Sequence, residues 1–135
     1  MHRRSFFSVA LSCLPLSAFP IVESIQGILL LASSGKPILE IENKKTLLAG
    51  DEPTMGVLLD KRVRGLLFQV SGKLEGSGIF NVGPIHTKSM VVLKNNQKLF
   101  VTYWCDICSI RTYTPGICWC CQEETELDLR ERYDL

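Results

Sequence analysis

Short apolar runs separated by turn residues fill the chain from residue 25 to residue 82, which is the pattern of a compact β domain. In the second run Leu39 and Ile41 alternate with two glutamates, so one face of that strand is buried and the other is solvated. Glycine, serine and asparagine residues between the runs favour reversals of the chain. The pattern predicts five strands, over residues 27–32, 37–42, 46–49, 66–74 and 79–82.

One short helix is predicted between the third and fourth strands. Asp51 is a residue type that caps helix N-termini, and Pro53 suits the first helical turn. Val57 and Leu58 follow at helical spacing, and Gly65 provides a left-handed stop. We therefore expect a helix that begins after Asp51 and ends at Gly65.

The order of three strands, a helix and two strands resembles the OB-fold, a five-stranded and partly open barrel, over residues 25–85. The resemblance rests on the order of the elements. It implies a surface of the kind that binds oligonucleotides or oligosaccharides through aromatic platforms. Only Phe68 and Phe80 supply aromatic rings on the predicted strands, and the basic residues of this region lie on the predicted helix: Lys61, Arg62 and Arg64. This arrangement favours a solvated helix face over a nucleic-acid contact.

A hairpin is predicted after the barrel, from strands at residues 90–93 and 99–102 that are joined through residues 94–98. Asparagine residues in the connection tolerate the left-handed backbone of a tight turn. The second strand leads directly towards Cys105, so we expect this cysteine where a strand ends, which is a well-positioned place for a site.

The composition is that of a globular chain of 135 residues, with 46% apolar and 21% charged residues. This length allows one domain with short appendages and excludes a multi-domain protein. Fifteen lysines and arginines balance fourteen acidic residues, giving a net charge of +1. A basic surface over the whole molecule is therefore missing, and we expect no nucleic-acid partner.

Residues 1–24 have the composition of an export signal. A short basic head precedes an almost uncharged run over residues 6–22, which is too short and too rich in proline for a spanning helix. The segment Arg3-Arg4-Ser5-Phe6-Phe7 resembles the core of the bacterial twin-arginine signal, and the Sec route is the alternative.

Two positions in this signal are candidate cleavage sites, after Ala18 and after Ser24. An uncleaved segment would remain as a membrane anchor, and it is the only membrane contact that we expect. The protein is predicted to be exported to the periplasm or cell envelope.

Five of the six cysteines lie between residues 105 and 121. The first two form a C-x2-C turn, which places two sulfurs on one side at the separation that a tetrahedral ion requires, about 3.5 to 4 Å. Nine residues later a C-x-C-C group follows, and its first cysteine can pair with either of the other two. The spacing leaves open which three or four thiols bind. The candidate metal ligands are Cys105, Cys108, Cys118, Cys120 and Cys121.

Three chemistries are compatible with this cluster. Structural zinc held by four thiolates would staple a region too short to build its own core. Disulfides suit an exported protein, although five cysteines leave one unpaired and adjacent Cys120 and Cys121 pair only through a strained ring. The third is a redox or soft-metal centre, either an iron–sulfur cluster or copper as Cu(I). The twin-arginine system moves proteins already folded around a cofactor, which favours a metal over disulfides.

Aromatic residues are concentrated around the cysteines, where we expect them either to exclude water from the sulfurs or to supply core: Phe100, Tyr103, Trp104, Tyr113 and Trp119. Asp106 and Arg111 either form hydrogen bonds around the sulfurs or are exposed loop charges, and we expect the latter. His86 is the one histidine outside the signal, and no spacing assigns it catalytic partners, so a loop or core role is expected.

Residues 122–135 form an acidic tail with six acids and two arginines. Leu127 and Leu129 alternate with charged residues, which allows one edge strand before a frayed end. The tail shows no calcium-loop spacing, so we expect it to be solvated.

The whole chain is similar to uncharacterised exported bacterial proteins, particularly through residues 102–106 and 115–121, and this resemblance implies no activity. We interpret the chain as mainly β: an OB-like five-stranded barrel with one short helix over residues 25–85, then a β-hairpin and Cys-rich metal knuckle over 86–121. The expected function is that of a non-catalytic binding or structural module of the cell envelope with thiolate-bound zinc, whose partner is an envelope protein or a small ligand. The alternative is an envelope redox or electron-transfer protein.

Overall fold

The computed structural model describes residues 23–131, and the predicted export signal lies outside the described residues except for its last two positions. Strands and two short helices follow one another in this order: β1 (Glu23–Leu31), β2 (Pro37–Ile41), β3 (Lys44–Ala49), α1 (Glu52–Leu58), β4 (Leu67–Leu74), β5 (Ile79–Val82), α2 (His86–Ser89), β6 (Met90–Lys94), β7 (Gln97–Cys105), β8 (Ile110–Thr112) and β9 (Glu126–Arg130). Neither helix has the length and apolarity that crossing a membrane requires.

The first five strands close into a barrel in the order β1-β2-β3-β5-β4, with β4 returning to β1. All neighbours in this ring are antiparallel except β3 and β5, which run parallel. The helix α1 lies in the chain between β3 and β4. The mainly β, OB-like fold predicted from the order of the elements is therefore confirmed.

The barrel closes because β1 is long enough to pair with two neighbours. Its second half pairs with β2, and its first half, from Glu23, pairs with β4. The sequence pattern begins this strand at residue 27, four residues too late, since polar side chains precede the apolar run. At Gly72, β4 pairs with both β1 and β5, and a Cβ there would collide with the backbone carbonyl of Asn81.

The helix α1 begins as predicted but is shorter. Asp51 caps it, since its carboxylate accepts hydrogen bonds from the Thr54 N–H at 3.0 Å and hydroxyl at 2.6 Å. The helix ends at Leu58, and its predicted extension to Gly65 is wrong. Asp60 starts a separate 3₁₀ turn by accepting the N–H of Arg62, so the α-helical hydrogen bonding does not continue.

The core lies inside the barrel and extends onto β6 and β7. Phe68 and Phe80, the two aromatic residues of the barrel strands, are fully buried at its centre, so neither forms a surface platform. Apolar side chains from the barrel strands, α1 and β6 belong to the same core, among them Leu29, Leu39, Leu48, Val57, Val70, Val82, Met90 and Val92. Burying apolar area of this kind is the main stabilising contribution in a domain of this size.

The C-terminal hairpin continues the barrel wall. β6 pairs with β4 and then with β7, and the turn between them places Asn95 and Asn96 at φ values of 52° and 62°, as expected for asparagine in a tight turn. After this turn, β7 pairs with β9 along residues 100–104. The last three residues of β7, which end at Cys105, pair with β8. The edge strand expected around residues 127 and 129 is therefore present as β9. The expectation that the acidic tail is solvated is wrong for this part of it, because Thr125 is buried and β9 pairs with β7 along its whole length. The short α2 and β8 are not predicted by the sequence pattern.

Candidate metal centre

The first cysteine turn is the tip of the hairpin between β7 and β8. Cys105 is the last residue of β7 and pairs with Ile110, so the turn between them is tight. Ser109, directly after Cys108, has a left-handed φ of 53°. The expectation that Cys105 lies where a strand ends is confirmed.

The second cysteine turn has the same form. The Cys118 N–H donates to the carbonyl of Glu123 at 2.7 Å, and the Gln122 N–H donates back to the carbonyl of Cys118 at 2.9 Å. Gln122, directly after Cys121, has a φ of 60°, the counterpart of Ser109 in the first turn. Each turn therefore carries two cysteines in C-x2-C spacing, followed by one left-handed residue.

The two turns converge. The thiol sulfurs of Cys105, Cys108, Cys118 and Cys121 all lie within 4.8 Å of one another. Cys105 and Cys121 bring their sulfurs to 3.5 Å. A tetrahedral ion with metal–sulfur bonds of about 2.3 Å requires sulfurs roughly 3.8 Å apart, so the group has the dimensions of a cage for one ion. Four cysteines of the chain are thus placed to bind a metal.

Backbone N–H groups support the sulfurs from inside the turns. The Cys108 N–H donates to the Cys105 sulfur at 3.4 Å, and the Cys120 N–H donates to the Cys118 sulfur at 3.4 Å. N–H groups of Cys121 and Cys120 lower the pKa of the Cys118 thiol to about 7. Hydrogen bonds of this kind favour the thiolate, which is the form that ligates a metal.

The closeness of the four thiols opposes their joint ionisation. The Cys108 N–H lowers the pKa of Cys105, but burial and the thiols of Cys118 and Cys121 outweigh this effect and raise it. Neighbouring thiols, Cys120 first, together with burial raise the pKa of Cys108. Negative charges this close repel one another, and a bound dication would remove that repulsion.

Cys120, the fifth candidate ligand, does not belong to the group of four. It is exposed, whereas Cys105 and Cys118 are buried and the remaining two are half-buried. The C-x-C-C group therefore reduces to a second C-x2-C made by Cys118 and Cys121, matching the first. The matching C-x2-C spacing is present in the sequence, but Cys120, which lies between Cys118 and Cys121, obscures it.

A polar network fastens the second turn to the barrel. The N–H and hydroxyl of Thr125 both donate to the carbonyl of Gly116, at 3.0 and 2.8 Å. Arg62, in the 3₁₀ turn after α1, donates to the carbonyl of Thr125 at 2.7 Å. Its guanidinium stacks over the ring of Tyr103, whose hydroxyl donates to Asp60 at 2.9 Å. Lys61, Arg62 and Arg64 are exposed, as expected for a solvated face. Arg62 in addition contacts the C-terminal region, which the sequence does not predict.

The aromatic residues divide between core and surface. Tyr103 is fully buried in the barrel core, whereas Trp119 is 94% exposed. The expectation that these rings enclose the sulfurs is wrong for Trp119, because it lies on the solvent side of the second turn. Phe100 and Trp104 are half-buried and Tyr113 is exposed.

Two charged residues beside the cysteines differ in role. Asp106 is exposed, as expected. Arg111 is not a loop charge: it lies in β8, donates to the Thr102 hydroxyl at 2.7 Å and to Asp128 at 2.9 Å, and stacks over Trp104. It connects β7, β8 and β9 across their outer face.

His86 is the first residue of α2. Its Nε2–H donates to the carbonyl of Tyr113 at 2.8 Å, which matches the expected structural role.

No protein-family model matches the chain, and comparison with curated proteins and with solved structures gives no significant match. The function is therefore inferred from the fold and the cysteine group.

Proposed function

We propose that the chain is an exported, non-catalytic binding or structural module of the cell envelope that holds one zinc ion between two cysteine turns. The ligands are Cys105, Cys108, Cys118 and Cys121. The observation that supports this proposal is the convergence of their four sulfurs within 4.8 Å.

Four protein thiolates leave no open coordination position, which is the arrangement of structural zinc and not of catalytic zinc. The region after β7 needs the stabilisation that a structural metal provides. Beyond β7, the segment over residues 106–125 includes one strand of three residues and a single isolated bridge between Ile117 and Glu124. A metal shared by both turns would stabilise this segment where secondary structure is sparse.

The dimensions of the group favour one ion over a cluster of several irons. Sulfur separations of 3.5 to 4.8 Å surround a single tetrahedral centre, whereas a multi-iron cluster holds its thiolates further apart. Zinc and a single iron both fit tetrahedral sulfur, and the colour of the protein separates them.

Export is proposed from the signal segment. Its basic head and apolar run are the features of a secretory signal, and Arg3-Arg4-Ser5-Phe6-Phe7 resembles the twin-arginine core. Transport in the folded state would allow the metal to be loaded before the protein reaches an oxidising compartment.

A redox protein is the second candidate, favoured by the 3.5 Å separation of the Cys105 and Cys121 sulfurs. Oxidation would join these two sulfurs in one disulfide with loss of two protons, and the two electrons would reduce the disulfide of a partner protein to two thiols. In this case the thiols, and not a metal, would carry the function.

Metal analysis and thiol counting on protein exported by its own host test the proposal. We expect a colourless protein with about one zinc per chain, and unfolding of the C-terminal region on chelation. Cys121→Ser is expected to lose the metal, while Cys120→Ser, the matched control, keeps it. Visible absorbance, or metal-free protein whose thiol count follows the redox poise, would contradict zinc and support the second candidate.

A further inference from the structure

An open groove of about 740 Å³ lies on the outer wall of the barrel extension. Its floor is the outer face of β4, β6 and β7. α2 and the segment after β8, which contributes Tyr113, also line it. The side chains that line it include Gln69, Ser71, Lys88, Lys98, Phe100 and Tyr113. This volume is in the range of small-ligand sites in proteins.

The charge of the groove is of one sign. Lys88 and Lys98 line it, and no aspartate or glutamate is among the described residues that do so. Neither lysine takes part in the ion pairs found within residues 23–131. In a chain whose net charge is only +1, two ammonium groups without a lining carboxylate give this groove a positive local charge that suits an anionic ligand.

The other lining side chains indicate which class of anionic ligand the groove suits. Phe100 and Tyr113 offer aromatic rings, while Gln69, Ser71 and Thr87 offer neutral hydrogen-bonding groups. A sugar ring has an apolar face of C–H groups that packs on an aromatic ring, and hydroxyls at its edge that bond to amides and hydroxyls. We infer that this groove binds a short acidic oligosaccharide, with its carboxylates near Lys88 and Lys98.

The walls of the groove are fixed before a ligand arrives. The hydrogen bond from His86 to the Tyr113 carbonyl, at 2.8 Å, holds α2 against the segment after β8. Gly83 lets α2 pack closely on the end of β5, since a Cβ there would come within 2.5 Å of the Ser89 hydroxyl. Preorganisation of this kind reduces the entropy lost on binding.

A single-stranded nucleic acid suits this groove less well. Thr102 lies two residues after Phe100 and so on the same face of β7. Arg111 bonds there to both Thr102 and Asp128, which brings a carboxylate onto this face and leaves the guanidinium already paired. A longer polyanion that follows β7 past Phe100 would find Arg111 and Arg130 already paired with Asp128, so this region offers it no further free cation. A short glycan does not extend that far.

This inference relies on the proposed function only for export, which brings the groove into contact with envelope glycans. The groove is connected to the proposed metal site through one residue, Tyr113. Tyr113 lies five residues before Cys118, so ordering of the second cysteine turn helps to hold one wall.

Calorimetric titration of the zinc-loaded, exported protein with tetragalacturonate tests the inference. We expect saturable binding, and a loss of at least about tenfold in affinity for the double variant Lys88→Glu/Lys98→Glu. The control Lys44→Glu/Lys45→Glu makes the same change of charge at exposed positions of β3 and should bind like the wild type. Maltotetraose, a neutral probe, should bind much more weakly.

The inference is wrong if tetragalacturonate shows no saturable binding, or if both double variants bind it equally well. It is also wrong if an eight-residue oligothymidylate binds more tightly than the glycan with the same dependence on Lys88 and Lys98. Zinc content and circular dichroism are measured on each protein. If the protein has its full zinc content but does not bind the glycan, the groove proposal is rejected and the metal proposal stands. If the exported protein binds the glycan but contains no metal, the metal proposal is rejected and the groove proposal stands.

Discussion

The hydroxyl of Tyr103 donates a hydrogen bond to the Asp60 carboxylate at 2.9 Å, across 43 positions of sequence. Tyr103 is fully buried two residues before Cys105, and Asp60 follows α1. Arg62 pairs with the same carboxylate at 3.1 Å and reaches on to Thr125. The barrel and the cysteine region are therefore joined by polar contacts as well as by β7.

Tyr103→Phe removes this hydrogen bond and leaves the ring in place. A hydrogen bond to a charged group contributes about 1.5–3 kcal/mol, so we expect the free energy of unfolding to fall by that amount. Urea unfolding at neutral pH measures it. Tyr113→Phe is the matched control, because that residue is exposed and its substitution should change stability by less than about 0.5 kcal/mol.

The same contact makes stability dependent on pH. Burial opposes ionisation of Asp60, but the hydrogen bonds from Arg62 and Tyr103 outweigh burial and hold its pKa below the usual value. A lowered pKa in the folded state means that the contribution is complete above the unfolded pKa of about 3.9 and is lost as the pH falls through the lower folded value. The stability difference between wild type and Tyr103→Phe should therefore shrink below about pH 4. A difference that stays constant down to pH 2 would refute this linkage.

Arg111→Lys tests the outer face of the three C-terminal strands. The guanidinium bonds to Thr102 and Asp128 together and stacks on Trp104 at 4.9 Å, and a lysine ammonium reproduces only one of these contacts. We expect a loss of about 1 kcal/mol in unfolding free energy. Arg64→Lys, at an exposed position, is the control. Equal stability of the two variants in urea would show that Arg111 contributes no more than a surface charge.

Phe80→Ala tests the closure of the barrel. Phe80 is fully buried on β5, opposite Leu48 where β3 and β5 run parallel. Removing a buried phenylalanine side chain costs about 3–5 kcal/mol, which is a large share of the stability of a small domain. Thermal unfolding followed by circular dichroism should show a strong decrease in Tm or an unfolded protein. The predicted burial of Ile41 on β2 is wrong, since this residue is 47% exposed. Ile41→Ala should therefore have little effect, and a similar loss in both variants would contradict the assigned core.

The pairing of β1 distinguishes between the two cleavage positions predicted for the proposed export signal. Glu23 and Ser24 pair with Gly72 and Ser71 of β4, and the Ser24 hydroxyl accepts a hydrogen bond from Gln69 at 3.0 Å. Cleavage after Ser24 would remove these contacts, while cleavage after Ala18 keeps all of β1. We expect mass spectrometry of the exported protein to find a mature chain that begins at Phe19. A chain that begins at Ile25 would contradict this expectation.

The barrel was predictable because its signals are local. Alternating apolar positions define its strands, and the Asp51 carboxylate caps α1 at the residue where the sequence places the cap. The end of α1 was not predictable in the same way. Asp60 and Arg62 form a side-chain turn there, and this turn is held by Tyr103 from a strand forty residues away. Propensity within a short window carries no information on such a contact.

The cysteine site was predictable in composition and not in detail. The spacing of Cys105 and Cys108 identifies one turn, but three cysteines in four positions leave the second pair ambiguous. The choice of Cys118 with Cys121 depends on backbone bonds between Cys118, Gln122 and Glu123, which set the direction of each side chain. The roles of Arg62 and Arg111 depend likewise on partners brought close only by the folded barrel.

The 94% exposure of Trp119 gives the protein an optical probe. The chain has two tryptophans, and the other, Trp104, immediately precedes Cys105. Both indoles therefore flank the sulfur cage, and the barrel itself contributes no tryptophan emission. Co²⁺ bound at the proposed site would quench this fluorescence by energy transfer, so occupancy of the site can be followed in dilute solution without a label.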